Sequence, residues 1–296
     1  MKKAKYNLMT AMFIFGSMGL FVKRIQLSSS EIALSRGLLG CLFIGIVLVV
    51  KREKISWRLV KKNSLALLFS GGAIGVNWLL LFESYRYTTI SNATLSYYFA
   101  PVFVVLVSAV LLKEKLTVKK VSCIGVAMSG MFMIVNSGGI SSVGNSDPLK
   151  GIAFGLAAAV FYAGMMISNK FLKGFSGLQS TFFQLLIATG ILIPYVFFTE
   201  GFDLLSMPIA SLPYLVILGI VHTGITYVMF FSSIPYLKGQ TTAMLSYIDP
   251  VSAILFSTIF LNEHLSLVQF IGGVFVLGAA VISEWQGIPK SKPTMG

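Results

Sequence analysis

The amino-acid sequence predicts an all-α, polytopic membrane protein of ten transmembrane helices, arranged as two inverted five-helix repeats around a central cavity. Three observations carry that prediction. Of the 296 residues, 56% are hydrophobic and only 11% charged, against about 25% charged in an ordinary soluble domain. Runs free of Asp, Glu, Lys and Arg, among them Ser64–Phe82, Ala93–Leu112, Val121–Ser146, Phe175–Thr199 and Leu265–Ser283, are long enough to cross a bilayer, which needs about 20 apolar residues for a core roughly 30 Å thick. The third is a sequence pattern that recurs in the second half of the chain at a constant offset.

Apolar runs bounded by charges, Gly, Pro and Ser clusters place helices at Asn7–Val22, Ile32–Val50, Ser64–Glu83, Asn92–Leu112 and Lys120–Asn136, then at Gly151–Lys170, Gly177–Phe198, Ser211–Ser232, Gln240–Leu261 and Leu267–Trp285. The first of these follows Lys2, Lys3 and Lys5 and so has the basic-then-apolar order of a signal peptide. Lys23 and Arg24 interrupt the run before the small residues Ser28 and Ser30, and many spans follow, so the first helix is expected to remain part of the protein. Residues 137–150 (SGGISSVGNSDPLK) form the longest connection and divide the helices five and five. The expected organisation is therefore a first repeat over 1–136, a linker over 137–150, a second repeat over 151–285 and a short cytoplasmic tail over 286–296.

Placing Pro101 on Pro250 aligns Tyr87 with Tyr236, Tyr98 with Tyr247, Val102 with Val251, Ser108 with Ser257 and Glu114 with Glu263. The same offset upstream pairs Gly75 with Gly224, Phe82 with Phe231 and Ser84 with Ser233. Five spans is an odd number, so the second copy would enter the membrane in the opposite sense. Inverted repeats of that kind characterise secondary transporters that bind substrate near the midplane and rock one bundle against the other.

Charge distribution sets the expected orientation. With the N-terminus inside, cytoplasmic segments hold 18 of the 23 Lys and Arg, leaving Lys23, Arg24, Arg36, Arg86 and Lys150 elsewhere. This bias places both termini in the cytoplasm of a multi-pass protein of the plasma membrane. The formal charge of +13 resides in short clusters between apolar runs, so it reads as loop retention rather than a nucleic-acid surface. Cys41 and Cys123 both lie inside apolar runs and provide neither a disulfide framework nor a metal spacing.

The twice-used segment of apolar run, Pro, apolar run and Glu (YYFAPVFVVLVSAVLLKEKLT and SYIDPVSAILFSTIFLNEHLS), set among ten predicted helices in two halves, resembles the drug/metabolite transporter superfamily and specifically its EamA-type permeases. The resemblance covers nearly the whole chain. It implies a central cavity lined chiefly by the third, fourth, eighth and ninth helices, and export of an amino acid, another metabolite or a toxic compound.

On those helices the mirrored pairs Asn77 and Thr226, Trp78 and Tyr227, and Tyr98 and Tyr247 offer aromatic walls and hydrogen-bonding groups, the mixture a small amphipathic solute needs. The same residues also suit helix bridging and core packing. Pro101 and Pro250 each remove a backbone donor within a span and mark two bends or hinges. Asp249 is the sole Asp, Glu, Lys, Arg or His between Lys238 and Glu263. Thr242, Ser246, Asp249 and Ser252 recur at helical spacing on one face, where the first copy has Ala93, Tyr97, Ala100 and Phe103. A mid-span aspartate is costly and usually faces a bundle interior or a water path. It is read here as the group that binds a substrate cation or exchanges a proton, or as an acid that hydrogen-bonds Tyr or Ser and the backbone opened by Pro250. His222 is a second intramembrane candidate. Arg36 reads as a residue that snorkels to the interface or holds an anionic group, Glu83 with Arg86 as an ion pair on one helical face, Glu114 and Glu263 as fold or gate residues at mirrored helix ends, and Lys23 and Lys170 as anchors.

The candidate substrate-contacting set is thus Asn77, Trp78, Tyr97, Tyr98, His222, Thr226, Tyr227, Ser246, Tyr247 and Asp249, with no metal site and no cofactor expected. The sequence lacks the zincin, nucleophile-elbow and phosphate-loop motifs that would point to a membrane enzyme. The expected partners are a small neutral or zwitterionic metabolite, protons and the lipid bilayer. A lipid scramblase or channel is the alternative, since helices around a polar cavity serve either purpose.

Overall fold

The computed structural model describes residues 2–88, 90–136, 147–199, 207–261 and 266–284, and every regular element among them is helical. The expected tail and Glu263 lie outside the described residues, as do positions 137–146 of the expected linker. The helices are α1 (Lys2–Gly16), α2 (Met18–Val22), α3 (Ser29–Val50), α4 (Trp57–Lys62), α5 (Ser64–Tyr87), α6 (Ile90–Tyr97), α7 (Ala100–Leu111) and α8 (Val118–Asn136), then α9 (Pro148–Asn169), α10 (Gly177–Thr199), α11 (Leu212–Ile217), α12 (Thr226–Ser233), α13 (Gly239–Ser246), α14 (Ile248–Leu261) and α15 (Leu267–Glu284). Among the described residues, seven helical stretches are long and apolar enough to cross a membrane: Ser29–Val50, Ser64–Tyr87, Asn92–Leu111, Pro148–Asn169, Gly177–Thr199, Ile209–Tyr236 and Gly239–Phe260. The remaining three predicted spans coincide with α1 and α2, with α8 and with α15.

Local chemistry explains where the long stretches break. Between α1 and α2 the Ser17 hydroxyl donates to the Ile14 carbonyl at 2.7 Å, which competes with the regular backbone ladder. Pro101 stands in the first turn of α7; having no N–H, it leaves the preceding turn without a donor, and α6 gives way at Tyr98 and Phe99. The equivalent place in the second half breaks at Tyr247, one residue after α13 and three before Pro250. Residues Leu218–Ile225, between α11 and α12, form a π-helical segment, and Thr226 satisfies part of it by donating its hydroxyl to the Val221 carbonyl at 2.8 Å. Such wide turns are rare and concentrate at functional sites.

Packing rests on close backbone approach and on satisfied polar groups. A Cβ on Gly130 of α8 would sit 2.5 Å from the Gly272 carbonyl oxygen of α15, and one on Gly272 2.6 Å from the Gly130 oxygen. Small residues at such crossings let helices touch where lipid supplies no hydrophobic drive. The sequence holds GxxxG patterns at Gly71–Gly75 and Gly151–Gly155, and both make internal contacts: Gly71 faces Ile187 and Gln184 of α10, and Gly155 faces Ser96 of α6. Three helices are joined by a buried amide cluster in which Ser70 donates to Gln184 Oε1 at 2.5 Å, Asn169 donates to the same oxygen at 2.9 Å, and Gln184 returns a donor to Asn169 Oδ1 at 3.1 Å.

The Gly130–Gly272 crossing leaves no room for a branched side chain. Gly130→Val is expected to destabilise the protein by about 1–3 kcal/mol, the usual range for overpacking, and to lower its melting temperature in detergent. Gly125→Ala, on the same helix with nothing within 4 Å of the added Cβ, is expected to leave that temperature unchanged or raise it. Scanning fluorimetry of the two purified variants checks both outcomes.

Candidate functional site

A cavity of about 330 Å³ lies among α1, α2, α3, α5, α6, α9, α12 and α14. That volume falls at the small end of the roughly 300–1,000 Å³ typical of ligand sites. Its walls are mostly apolar and aromatic, with Phe15, Trp78, Tyr97, Tyr162 and Tyr227 among the rings. The rings hold one another edge-on: Trp78 and Tyr227 have centroids 6.2 Å apart at 85°, Phe15 and Tyr227 5.2 Å at 75°, and Tyr97 and Tyr162 5.9 Å at 78°. Tilted arrangements of this kind suit the aromatic quadrupole and fix the wall in one shape.

Two charged residues line the cavity, one of each sign: Arg36 from α3 and Asp249 from α14. Asp249 is the eleventh residue of the 22-residue stretch Gly239–Phe260 and therefore sits at its middle. Its carboxylate has no hydrogen-bond or ion-pair partner among the described residues, although its backbone carbonyl accepts from Ser252 at 2.8 Å. The reading in which it hydrogen-bonds backbone opened by Pro250 thus gains no contact here.

Of the two sequence readings of Arg36, the geometry goes against snorkelling to the interface. A snorkelling residue would reach the end of its span, yet Arg36 is only 8% exposed and turns inward. It is the eighth residue of α3, about 10 Å along the helix from Ser29 at 1.5 Å per residue. Its guanidinium carbon lies 4.4 Å from the Trp78 ring centroid, and Nη1 contacts the Met18 sulfur at 3.0 Å. Its Nε is buried with no hydrogen-bond partner.

The other candidates separate into two groups. Trp78, Tyr97, Tyr227 and Asp249 share the cavity wall. Asn77, Tyr98, His222, Thr226, Ser246 and Tyr247 do not belong to it. The Asn77 amide donates to the Ala158 carbonyl at 2.6 Å and so bridges α5 to α9. Thr242 and Ser246 donate to carbonyls four residues back, at 3.0 and 2.9 Å, because a hydroxyl in an apolar bundle takes the nearest free acceptor. Tyr247 is fully buried with its hydroxyl on the Met128 sulfur at 3.3 Å, and Tyr98 packs against the same cluster. His222 lies in the π segment, its Nε2 2.9 Å from the Ser17 hydroxyl at the α1–α2 break and its ring edge-on to Phe21.

At the opposite end of the bundle, Glu114 accepts from the backbone N–H groups of Gly239 and Gln240 at 2.8 and 3.2 Å. It caps α13, where a carboxylate also meets the positive end of the helix dipole, and ties the end of α7 to the second half. Lys170 donates to the carbonyls of Leu237 and of Ile234 beside it. Glu83 and Arg86 form the expected ion pair at 3.0 Å, which at an exposed site contributes about 0–1 kcal/mol.

Sequence reasoning missed Tyr85, Tyr162 and the contributions of α1 and α2 to the wall. Apolar periodicity offers no signal for them, since nothing in it says which face turns inward. Arg36 did leave one, as the single charge in Ile32–Val50.

The EamA-like transporter family model matches residues 3–136 and 149–284. An uncharacterized transporter, YxxF, of Bacillus subtilis (strain 168) is 30% identical over 95% of this chain and 89% of its own. A "Probable terminal-alkyne amino-acid exporter" of Streptantibioticus cattleyicolor is 25% identical over 90% of this chain and 84% of its own. A protein crystal structure superposes with a TM-score of 0.81 at 15% identity, covering 95% of this chain and 97% of that one, so the likeness is one of fold.

The two tyrosine positions separate wall from core. Tyr97→Phe removes a hydroxyl from the cavity and is expected to raise the half-saturation concentration for the transported solute by roughly 2- to 10-fold, the value of one hydrogen bond. Tyr247→Phe, which removes a hydroxyl outside the cavity, should leave it unchanged. Concentration-dependent flux through reconstituted protein measures both.

Proposed function

Because the chain belongs to the EamA-like transporter family, we propose that it is a secondary transporter of the plasma membrane that exports a small neutral or zwitterionic metabolite by alternating access. The carrying observation is the mid-span cavity, whose aromatic and apolar walls hold one acid and one base. Its volume suits a metabolite rather than a lipid. The relative named as a probable terminal-alkyne amino-acid exporter supports an amino acid or related compound as cargo.

In this reading ten spans cross the membrane as two inverted halves, with both termini in the cytoplasm. The seven apolar stretches, together with α1 and α2, α8 and α15, supply them. The separate family matches to residues 3–136 and 149–284 support the division. The cavity reaches Val22, Ser29 and Tyr85, at the end of the bundle away from the N-terminus. At the N-terminal end, Glu114 holds the start of α13. That asymmetry supports an outward-facing form in which the Glu114 cap is the closed inner gate and the bends at Pro101 and Pro250 let the halves rock. Asp249 is the group that meets a substrate cation or exchanges a proton, and the concentration of charge in one chamber favours a binding site over the continuous polar path of a channel.

The test is reconstitution into liposomes with a panel of amino acids, with and without a pH gradient, for the native protein and for Asp249→Asn. The native protein is expected to move at least one of them. The variant is expected to lose roughly 10- to 150-fold in flux, the value of a hydrogen bond to a charged group, together with any response to the gradient. Unchanged, gradient-insensitive flux in the variant would remove the proton role, and no flux of any solute would remove the transport reading.

A further inference from the structure

Among the described residues, Arg36 is a buried cation with no ion-pair partner. Its guanidinium is over nine-tenths buried in a cavity wall, against an aromatic face and a thioether, with Nε unpartnered. Arginine presents five fixed donors and cannot release its charge, and neither a sulfur nor a ring face satisfies that array. Cation–π contact with Trp78 offsets part of the desolvation. It also holds the planar group in place against the cavity. An arginine kept for stability would have a carboxylate beside it, and one carboxylate lines the same cavity, yet Asp249 and Arg36 do not pair. Both charges remain facing one chamber, each with its strongest partner missing.

We propose that Arg36 is the carboxylate-binding residue of the cargo site, that Asp249 receives the ammonium group, and that the cargo is therefore a zwitterionic amino acid with an apolar side chain. This rests on the transport reading above and narrows it. The guanidinium fork matches a carboxylate in bidentate geometry. A phosphate is disfavoured, because its charge of about −1.5 to −2 would meet a single cation while facing the Asp249 carboxylate. A purely neutral solute would leave both charges desolvated and unanswered. A zwitterion answers both at once, and the surrounding Phe15, Phe82, Met165 and Phe230 receive an apolar side chain.

The test uses the full-length protein in vesicles of phosphatidylethanolamine and phosphatidylglycerol, reading counterflow of labelled L-leucine, L-methionine and L-phenylalanine. Each amino acid has two competitors: its amide, which lacks the carboxylate charge, and its deaminated acid, which lacks the ammonium. With the native protein, both are expected to compete about 10- to 100-fold more weakly than the parent, the range for charge-assisted hydrogen bonds. Arg36→Gln is expected to weaken the parent amino acid by that factor and leave the amide unchanged, and Asp249→Asn to do the same for the parent and the deaminated acid. Equal weakening of parent and amide by Arg36→Gln, or no weakening, overturns the assignment. If Arg36→Gln does not assemble, discrimination by the native protein and by Arg36→Lys decides, and an amide that competes as well as its parent overturns it. Counterflow of a neutral sugar or polyol without any of the three amino acids sinks this inference while leaving the transport reading intact; no counterflow at all sinks both.

Discussion

In a hydrocarbon environment every polar group must find its partner inside the protein, and most of the described buried side chains do so, the hydroxyls of Ser108, Thr223 and Ser283 and the Arg36 Nε being left without one. The Ser70, Asn169 and Gln184 side chains satisfy one another across α5, α9 and α10. Ser84 donates to the Gly151 carbonyl, Asn77 to Ala158, and Thr189 to Leu185, each within 2.8 Å. A lone hydroxyl costs little beside a charge, and among the described residues that line the cavity Arg36 and Asp249 are charges with no ion-pair partner. Both charges fall on the wall of the same cavity, which is why the proposed cargo site rests on the cavity and not on the helix count.

The irregular backbone has the same logic. Ser17 adjoins Met18 and the Tyr98–Phe99 break adjoins Tyr97, both on the chamber wall, and the π segment Leu218–Ile225 reaches Ser17 through His222. A straight α1 would carry its backbone past Gly16, where an added Cβ would stand 2.0 Å from the Ser252 hydroxyl, so α1 and α14 meet almost backbone to backbone one helical turn from Asp249. The Ser17 hydroxyl then turns to His222. The close approach, the helix break and the π segment therefore form one contiguous device linking α1, α14 and the stretch leading into α12.

Helical stretches were legible because apolar length and charge boundaries are local. Ser64–Glu83 is seen as Ser64–Tyr87, Gly177–Phe198 as Gly177–Thr199, and Leu267–Trp285 as Leu267–Glu284. The amphipathic turn Trp57–Lys62 went unread, since Lys and Arg there suggest a loop as readily as a helix. Asp249 was legible because a lone acid in an apolar run has few uses. The facing of side chains was not. The recurring pattern pairs Trp78 with Tyr227 and Tyr98 with Tyr247 by the same offset, yet the first pair meets across the cavity and the second lies in the packing around Met128. An offset fixes a position along a span but not the rotation of the helix, and the breaks at Tyr98 and Tyr247 reset that rotation just where the pairs are read.

Arg36 shows why depth alone misleads. Eight residues into α3, a flexible arginine has the reach to snorkel toward the interface, and nothing in Ile32–Val50 forbids it. What decides is the neighbour: Trp78, 42 positions later in the chain, places a ring face 4.4 Å from the guanidinium carbon, and the charge stays inside. That contact in turn restricts Trp78, whose edge meets Tyr227, whose own edge meets Phe15. The cation on α3 thus stands at one end of a row of rings that runs from α5 through α12 to α1. In the proposed reading a cargo carboxylate at Arg36 would meet that row at its charged end, next to the Trp78 ring.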